Sequence, residues 1–341
     1  MQSTILVTGG AGYIGSHTCV ELLASGFDVV IVDNFVNSHA LVVERIAQIA
    51  HRTPILEKAD IRDAREMQRI FSSHRIEAVI HFAGLKSVGE SVADPVRYYD
   101  NNVVGTLVLL DAMTQAKCQR LVFSSSATVY GNAESMPIVE SAPIQPTNPY
   151  GSTKAMIERI LMDLASSAPA WKIALLRYFN PTGAHESGTI GEDPAGIPNN
   201  LMPYVARVAV GTLPKLTIHG NDYPTRDGTG ERDYVHVVDL ARGHLAALAH
   251  LDALNGAVPI NLGTGRGTTV LELVSAFRDA SGRDIDFGIG PRRPGDVATC
   301  YADPSAAAEL LEWRAEYGIE RMCADCWRWQ SKNPNGYQGV S

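Results

Sequence analysis

A chain of 341 residues, 45% hydrophobic and 19% charged, has the composition of a globular protein and room for one large domain or two smaller ones sharing a cleft. A net charge of -8 argues against a nucleic-acid or anionic-membrane partner, and no apolar run reaches the length of a membrane span. No signal peptide is expected, because Ile5-Leu6-Val7 already reads as a strand with Gly9 close behind, and five scattered cysteines suit reduced thiols in a cytoplasm.

Thr4 to Thr8 predicts a strand, and Gly9-Gly10-Ala11-Gly12-Tyr13-Ile14-Gly15 separates it from a helix over Ser16 to Ala24. Gly9 permits a tight turn, Gly12 lets backbone amides approach a pyrophosphate, and Gly15 lets helix and strand pack closely. The alternative is a plain tight turn; the position between strand and helix favours a dinucleotide loop. Asp28 to Val32 predicts the second strand, ended by Asp33. A carboxylate about twenty residues beyond such glycines accepts from both ribose hydroxyls of an adenosine and repels a 2′-phosphate, which favours NAD over NADP. Otherwise Asp33 caps the next helix.

Strand and helix then alternate. Pro54 to Glu57 is a short strand with Asp60-Ile61 beyond it, Arg65 to Ser73 a helix, and Ala78 to Phe82 a buried strand. Pro95 to Gln115 is a long helix and Arg120 to Phe123 a further strand. This alternation predicts a Rossmann-type α/β fold, a doubly wound parallel sheet with helices on both faces. His81, alone on an apolar strand, is expected to be a hydrogen-bonded core residue. Ser124-Ser125-Ser126 follow Phe123 at the end of a strand where the ligand crevice of such sheets lies; they are either turn formers or hydroxyls aimed at substrate.

Pro149 sets a helix start, and Met156, Ile157, Ile160, Leu161 and Leu164 repeat at helical spacing. Tyr150 and Lys154 then lie one turn apart on one face. A free phenol has a pKa of about 10; a neighbouring ammonium is expected to lower it and make Tyr150 an acid–base catalyst. Tyr-x-x-x-Lys also occurs on ordinary helix surfaces.

From Gly183 onward, prolines break the pattern into short pieces. Asn200 to Gly211, Val238 to His250, Val270 to Ala280 and Ser305 to Leu311 read as helices, and Val258 to Leu262 as one more strand of the sheet. The expected organisation is a cofactor-binding domain over 1–180 with a later return near 235–265, and a smaller, interleaved α/β substrate domain over 181–341. Cys323-x-x-Cys326 has no second ligand pair and reads as packing. The ten histidines form no His-Glu-x-x-His cluster, so no catalytic metal is expected.

Together, Thr8 to Gly15, the Ser126 hydroxyl and Tyr150-x-x-x-Lys154 resemble the extended short-chain dehydrogenases/reductases, and within them the UDP-hexose 4-epimerases. The likeness runs through nearly all 341 residues. It includes Asp33-Asn34, His81 to Lys86, Tyr99 to Asn102, Leu176 to Asn180, Gly196 to Leu201, Gly220 to Thr225, Arg232 to His236, and Arg292-Arg293-Pro294-Gly295-Asp296. The resemblance implies a tightly bound NAD and UDP-hexose substrates. Around the cofactor it implies Gly9, Gly12, Tyr13, Ile14 and Gly15 in the loop, Asp33 at the adenosine ribose, Asn34 among the cofactor-binding residues, and Asp60 with Ile61 at the adenine. Phe82, Lys86 and Asn101 would flank the pyrophosphate and nicotinamide ribose, and Tyr178 the nicotinamide. Ser126, Tyr150 and Lys154 would be the catalytic set, with Lys86 also reaching substrate.

On the substrate side, the same resemblance implies Asn180, Asn200 and Leu201 at the nucleotide sugar. Arg232 and Arg293 would hold its phosphates and Asp296 the uridine ribose; without the family pattern, the paired arginines would read as a solvated face. The backbone of Leu216 to His219, including Thr217, would hold uracil, although His219 stands where an aromatic is frequent. Cys300 would line the hexose pocket, where a small residue admits N-acetylated sugars; alternatives are a buried thiol, or a one-residue shift that puts Tyr301 there. The implied reaction is reversible epimerisation at carbon 4 of UDP-glucose and UDP-galactose, with no net redox change. Competing readings are another NAD-dependent nucleotide-sugar epimerase, a nucleotide-sugar 4,6-dehydratase, a dehydrogenase that releases NADH, and a redox-silent NAD sensor. The resemblance also implies a homodimer that pairs the Pro95 to Gln115 and Tyr150 to Ala165 helices.

Overall fold

The apolar runs at the start of the chain become strands buried on both faces. The computed structural model describes residues 3–339 apart from 195 and 294, so Pro294 of the Arg292 to Asp296 run lies outside the described residues. The first strands are β1 (Thr4–Thr8), β2 (Asp28–Asp33), β3 (Ile55–Lys58), β4 (Ile76–His81), β5 (Arg120–Ser126) and β6 (Lys172–Tyr178). Between them run α1 (Tyr13–Ala24), α2 (Leu41–Ala50), α3 (Ala64–Ser73), α4 (Val88–Ala93), α5 (Pro95–Tyr98), a π-helical turn (Tyr99–Val104), α6 (Gly105–Gln115) and α7 (Pro149–Ser167). Beyond these lie β7 (Asn180–Thr182), α8 (Leu201–Ala209), β8 (Leu216–His219), β9 (Glu231–Arg232), β10 (Tyr234–His236), α9 (Val237–His250), β11 (Ala257–Leu262) and β12 (Thr268–Thr269). The described elements end with α10 (Val270–Ser281), β13 (Phe287–Gly290), β14 (Thr299–Cys300), α11 (Ser305–Leu311) and α12 (Ile319–Lys332).

Seven strands form one parallel sheet in the order β11-β6-β5-β4-β1-β2-β3. The order reverses between β1 and β4, which opens a crevice outside their carboxyl ends. Successive side chains serve opposite faces. Ile5 and Val7 of β1, Val122 of β5 and Ala174 and Leu176 of β6 pack with α1 and α9, while Leu6, Leu121, Phe123, Ile173 and Leu175 pack with α3, α6 and α7. Two covered faces explain why these strands read as continuous apolar runs rather than alternating ones. His81 is the expected exception: its Nδ1 lies 2.6 Å from the Thr8 hydroxyl and its Nε2 2.9 Å from that of Thr106, and burial pushes its pKa down to about 3.

Three differences from the sequence expectation matter for the site. Helix α1 begins at Tyr13, three residues before Ser16, so the last three loop residues form its first turn. Strand β5 does not stop at Phe123. Ser124, Ser125 and Ser126 continue it because each pairs with Leu176, Arg177 and Tyr178 of β6, a strand that the sequence reading did not mark. The Pro95 to Gln115 helix is interrupted by the π turn at Tyr99–Val104, a helical irregularity found frequently at functional sites.

The later chain builds short pairings beside the sheet: β7 with β10, β8 with β13, and β9 between β12 and β14. Helices α8, α10 and α12 enclose a separate core that includes Cys323 and Cys326, so this cysteine pair is packing. Strand β11 returns to the main sheet beside β6, as Val258 to Leu262 predicted.

Candidate active site

The glycine loop leaves no room for side chains. Gly9 has φ +69°, and a Cβ there would lie 2.8 Å from the Ala83 amide nitrogen; one on Gly15 would lie 2.3 Å from the Gly9 carbonyl oxygen. Gly12 is the N-cap of α1 and has no side chain to cap the first turn, whose amides a helix leaves unpaired. The loop is therefore a cradle of backbone donors at a helix N-terminus, suited to a diphosphate. Ile14 packs partly buried against the core, and the Tyr13 hydroxyl donates to the Gly183 carbonyl at 2.7 Å.

Asp33 does not cap α2, whose N-cap is Ala40. One carboxylate oxygen accepts from the Ala11 amide at 3.0 Å, and the other from the Phe35 amide and the Ser38 hydroxyl. That ties the end of β2 to the glycine loop. Asn34 donates to Asp60 at 3.0 Å, and Arg62 reaches both Asp60 and Asp100. The hydrogen-bonded Arg62 guanidinium holds the Asp60 carboxyl well below the usual carboxylate range. A surface cavity of about 630 Å³ opens here, lined by Asp60, Arg62 and Asp100. The Ile61 side chain is buried in the core, so contact with a ligand there falls to its backbone.

Further along the crevice, the Phe82 ring lies 4.7 Å from that of His244. The His244 Nδ1 faces the Leu240 carbonyl at 2.8 Å, so Nε2 is left to accept from the Tyr178 hydroxyl at 2.7 Å. Burial drives His244 down to about 4 and Tyr178 well up, so both are neutral, fixed walls. The Asn101 amide donates to Asn102 at 2.9 Å. Lys86 and Asn200 both reach Glu192, at 3.0 and 3.2 Å. Neither His244 nor Glu192 was singled out from sequence: each is a lone polar residue whose neighbours come from distant segments.

Tyr150 and Lys154 emerge from the first turns of α7, which starts at Pro149 with the Asn148 side chain accepting from the Gly151 amide. Lys154 Nζ donates to the Ser124 carbonyl at 2.6 Å and lies 5.9 Å from the centre of the Tyr150 ring. Ser126 Oγ accepts from the Thr128 amide and hydroxyl at 3.2 and 3.0 Å. The expected lowering of the Tyr150 pKa by the ammonium is not found. Burial holds the phenol above its ordinary value, opposed only by the hydrogen bond with Ser126. Burial likewise lowers Lys154 to about 8, and its proton is directed at a carbonyl.

On the far side, short strand pairings gather residues that are distant in sequence. Cys300 of β14 is the register partner of Arg232 of β9, and Arg232 lies 3.9 Å from Asp296. Arg293 is exposed, and its carbonyl accepts from the Asp296 amide at 3.2 Å. Asn180 donates to the Asp233 carbonyl at 3.1 Å. Leu201 opens α8 directly after Asn200. Thr217 is exposed on β8, and His219 Nδ1 faces the Pro291 carbonyl at 3.2 Å. The register places Cys300, not Tyr301, beside Arg232. Cys300 also packs against the cluster of Val129, Tyr130 and Phe179, and burial raises its thiol. Among the described residues, no group of three or more His, Cys, Asp or Glu is placed to hold a metal ion.

A doubly wound sheet with a dinucleotide cradle and a Ser-Tyr-Lys set at its carboxyl edge defines an enzyme of the short-chain dehydrogenase/reductase class. A match to the GDP-mannose 4,6 dehydratase family spans residues 6–326. The UDP-glucose 4-epimerase of Bacillus subtilis (strain 168) is 58% identical over 336 residues, 98% of this chain and 99% of the relative. The crystal structure of UDP-glucose 4-epimerase from Bifidobacterium longum in complex with NAD+ and UDP is 54% identical with a TM-score of 0.94, covering 98% of this chain and 100% of that one. The Stenotrophomonas maltophila enzyme, with bound NAD and formylated UDP-arabinopyranose, is 51% identical with a TM-score of 0.96 over 98% and 99%. The chain belongs to the UDP-glucose 4-epimerase family of extended short-chain dehydrogenases/reductases.

The cradle makes a defined demand on Gly15. In Gly15→Ala the new methyl meets a backbone carbonyl that has no rotamer to yield, so the purified variant is expected to lose most of its bound NAD, measured by acid release. Gly89→Ala, where nothing lies within 4 Å of the new atom, is expected to retain it. Equal retention by both would show that the close approach at Gly15 does not govern cofactor binding.

Proposed function

We propose that this protein interconverts UDP-glucose and UDP-galactose by inverting carbon 4 of the hexose, using a tightly held NAD, as a step of galactose metabolism. The observation that carries this reading is that Ser126, Tyr150 and Lys154 meet at the carboxyl edge of the sheet between two separate binding regions. One is the glycine cradle with Asp33; the other is the arginine-bearing cluster of β9, β14 and the Arg293 to Asp296 segment. In this reading, residues 1–180 with the return near 235–265 bind the cofactor, and most of 181–341 binds the UDP-sugar.

The residues present fit NAD: the cradle is one that Cβ atoms would fill, and a carboxylate rather than an arginine stands at the end of β2. Gly9, Gly12, Tyr13, Ile14 and Gly15 would hold the pyrophosphate, Asp33 and Asn34 the adenosine ribose, and Asp60 and Ile61 the adenine. Phe82, Lys86, Asn101 and Tyr178 would hold the nicotinamide end. Bound NAD supplies the reversible oxidation of carbon 4. Tyr150 as phenolate takes the proton of the 4-hydroxyl, with Ser126 hydrogen-bonded between them, and returns it after the keto sugar has turned over. Burial holds the phenol up, so positive charge brought close to Tyr150 would favour its phenolate. Lys154, whose ammonium donates to the Ser124 carbonyl, holds α7 against the end of β5. Arg232 and Arg293 grip the diphosphate with charge-assisted bonds, Asp296 the uridine ribose, and the backbone around Thr217 and His219 the uracil. Asn180, Asn200 and Leu201 line the sugar more weakly, so the hexose turns while UDP stays.

A 4,6-dehydratase needs an acid and a base for water elimination beside the catalytic hydroxyl. Here Ala127 and Thr128 follow Ser126, and Thr128 spends its hydroxyl on Ser126. Cys300, in register with Arg232, supports the further substrates UDP-N-acetylglucosamine and UDP-N-acetylgalactosamine. Exposed Val96, Leu107 and Met156, at 76%, 46% and 47% exposure on α5, α6 and α7, support a homodimer that covers them. Five free cysteines suit a reducing cytoplasm.

With UDP-galactose and no added NAD, the protein is expected to form UDP-glucose without free NADH or a 4-keto-6-deoxy product. Tyr150→Phe should keep its NAD and lose about 10²–10⁴-fold in rate; a variant that still turns over at close to the wild-type rate would remove the phenol from the mechanism. For the sugar pocket, the wild type should turn over the N-acetyl pair and Cys300→Tyr should reject it, since a packed pocket refuses added volume at about 1–3 kcal/mol. An unchanged ratio of the two activities in that variant would exclude Cys300 as the gate. For assembly, Leu107→Glu with Met156→Glu is expected to sediment as a monomer; a wild type that is itself monomeric would overturn the dimer.

A further inference from the structure

Below the catalytic set lies a buried charge pair that the mechanism above does not use. Glu158 follows Tyr150 and Lys154 at four-residue intervals, so all three share one face of α7. Its carboxylate accepts from Arg177 of β6 at 3.0 Å (Nε) and 2.6 Å (Nη2), and from the Ser125 hydroxyl. Arg177 continues to the Tyr130 hydroxyl at 2.9 Å, which donates to Asn261 of β11 at 2.6 Å. Glu158 and Arg177 are each about 2% exposed. Ser125 sits between Ser124, whose carbonyl accepts a hydrogen bond from Lys154, and Ser126, whose hydroxyl faces Tyr150.

We propose that Glu158 is a positioning residue of the reaction: through Ser125 it fixes the strand end that presents Ser126 and the Ser124 carbonyl to α7, and its charge keeps Lys154 an ammonium. The proposal rests on the epimerase reading. The groups around Lys154 bear it out. Tyr150 and Glu158 share its face of α7, the Phe123 ring (4.9 Å) and the Ser124 carbonyl reach it from β5, neutral His81 lies towards it from β4, and Arg177 of β6 stands behind Glu158 as its ion-pair partner. Of these only Glu158 is negative. Its charge opposes the burial that lowers Lys154, so removing that charge would leave the burial unopposed and disfavour the ammonium. Alkaline solution would then discharge Lys154 sooner, and the alkaline limb of kcat would move to lower pH.

The test uses NAD-loaded protein and UDP-galactose, with wild type alongside; an inactive wild type would fail the epimerase reading rather than this one. Ser125→Ala removes one hydroxyl and breaks the tie; it is expected to lower kcat roughly ten- to a hundredfold, with KM and bound NAD unchanged. Glu158→Gln is expected to shift the alkaline limb of kcat to lower pH, and Glu158→Asp to restore the limb toward wild type. Wild-type kcat in Ser125→Ala overturns the positioning role, whether or not the Glu158 variants fold. A Glu158→Gln limb that coincides with that of wild type overturns the charge role, as does a limb that Glu158→Asp and Glu158→Gln share.

Discussion

Desolvation of the Tyr150–Lys154 pair is the constraint on which the site depends. In water a phenol and an ammonium barely influence each other; under the sheet edge, both charged forms are penalised by burial, and the phenol ends above and the amine below its ordinary value. Burial thus leans both groups toward their uncharged forms. The contact from Lys154 to the Ser124 carbonyl also joins α7 to β5, so the geometry of the candidate site is the geometry of one helix packed on one strand.

The surrounding architecture serves that junction. Parallel strands send all their carboxyl ends to one edge, and the reversal of order between β1 and β4 opens the crevice there. The cradle and Asp33 lie at the ends of β1 and β2, Ser126 at the end of β5, and the neutral pair of Tyr178 and His244 beside it. A buried carboxylate such as Glu158 is tolerable at this depth because three donors satisfy it; breaking a buried pair of this kind costs about 3–5 kcal/mol. The side that carries Arg232 and Asp296 is built differently, from short strand pairs and loops with exposed charges. A polar, partly open surface suits a group that enters and leaves, as a closed cradle suits one that stays.

Much of this was legible from residue order. Length-scale alternation announced the parallel sheet because strands covered on both faces must be apolar throughout. The glycines of the loop, Asp33 and the one-turn spacing of Tyr150 and Lys154 are local patterns, and local patterns survive in sequence. Pro149 and the helical repeat placed α7 almost to the residue. What sequence by itself determined, then, was the fold class, the glycine cradle between β1 and α1, and the one-turn spacing of Tyr150 and Lys154 on α7.

Tertiary structure alone decided the state of those groups. The sign of the Tyr150 shift depends on burial against a charge that points elsewhere, and neither is encoded in spacing. The serines after Phe123 belong to β5 because β6 pairs with them; a strand end is set by its neighbour, not by its own residues. His244, Glu192, Glu158 and Arg177 gained their meaning from partners far along the chain. The place of Cys300 beside Arg232 came from a two-residue strand register. Each is a long-range relation among polar residues, and isolated polar residues carry no periodicity from which such a relation could be read.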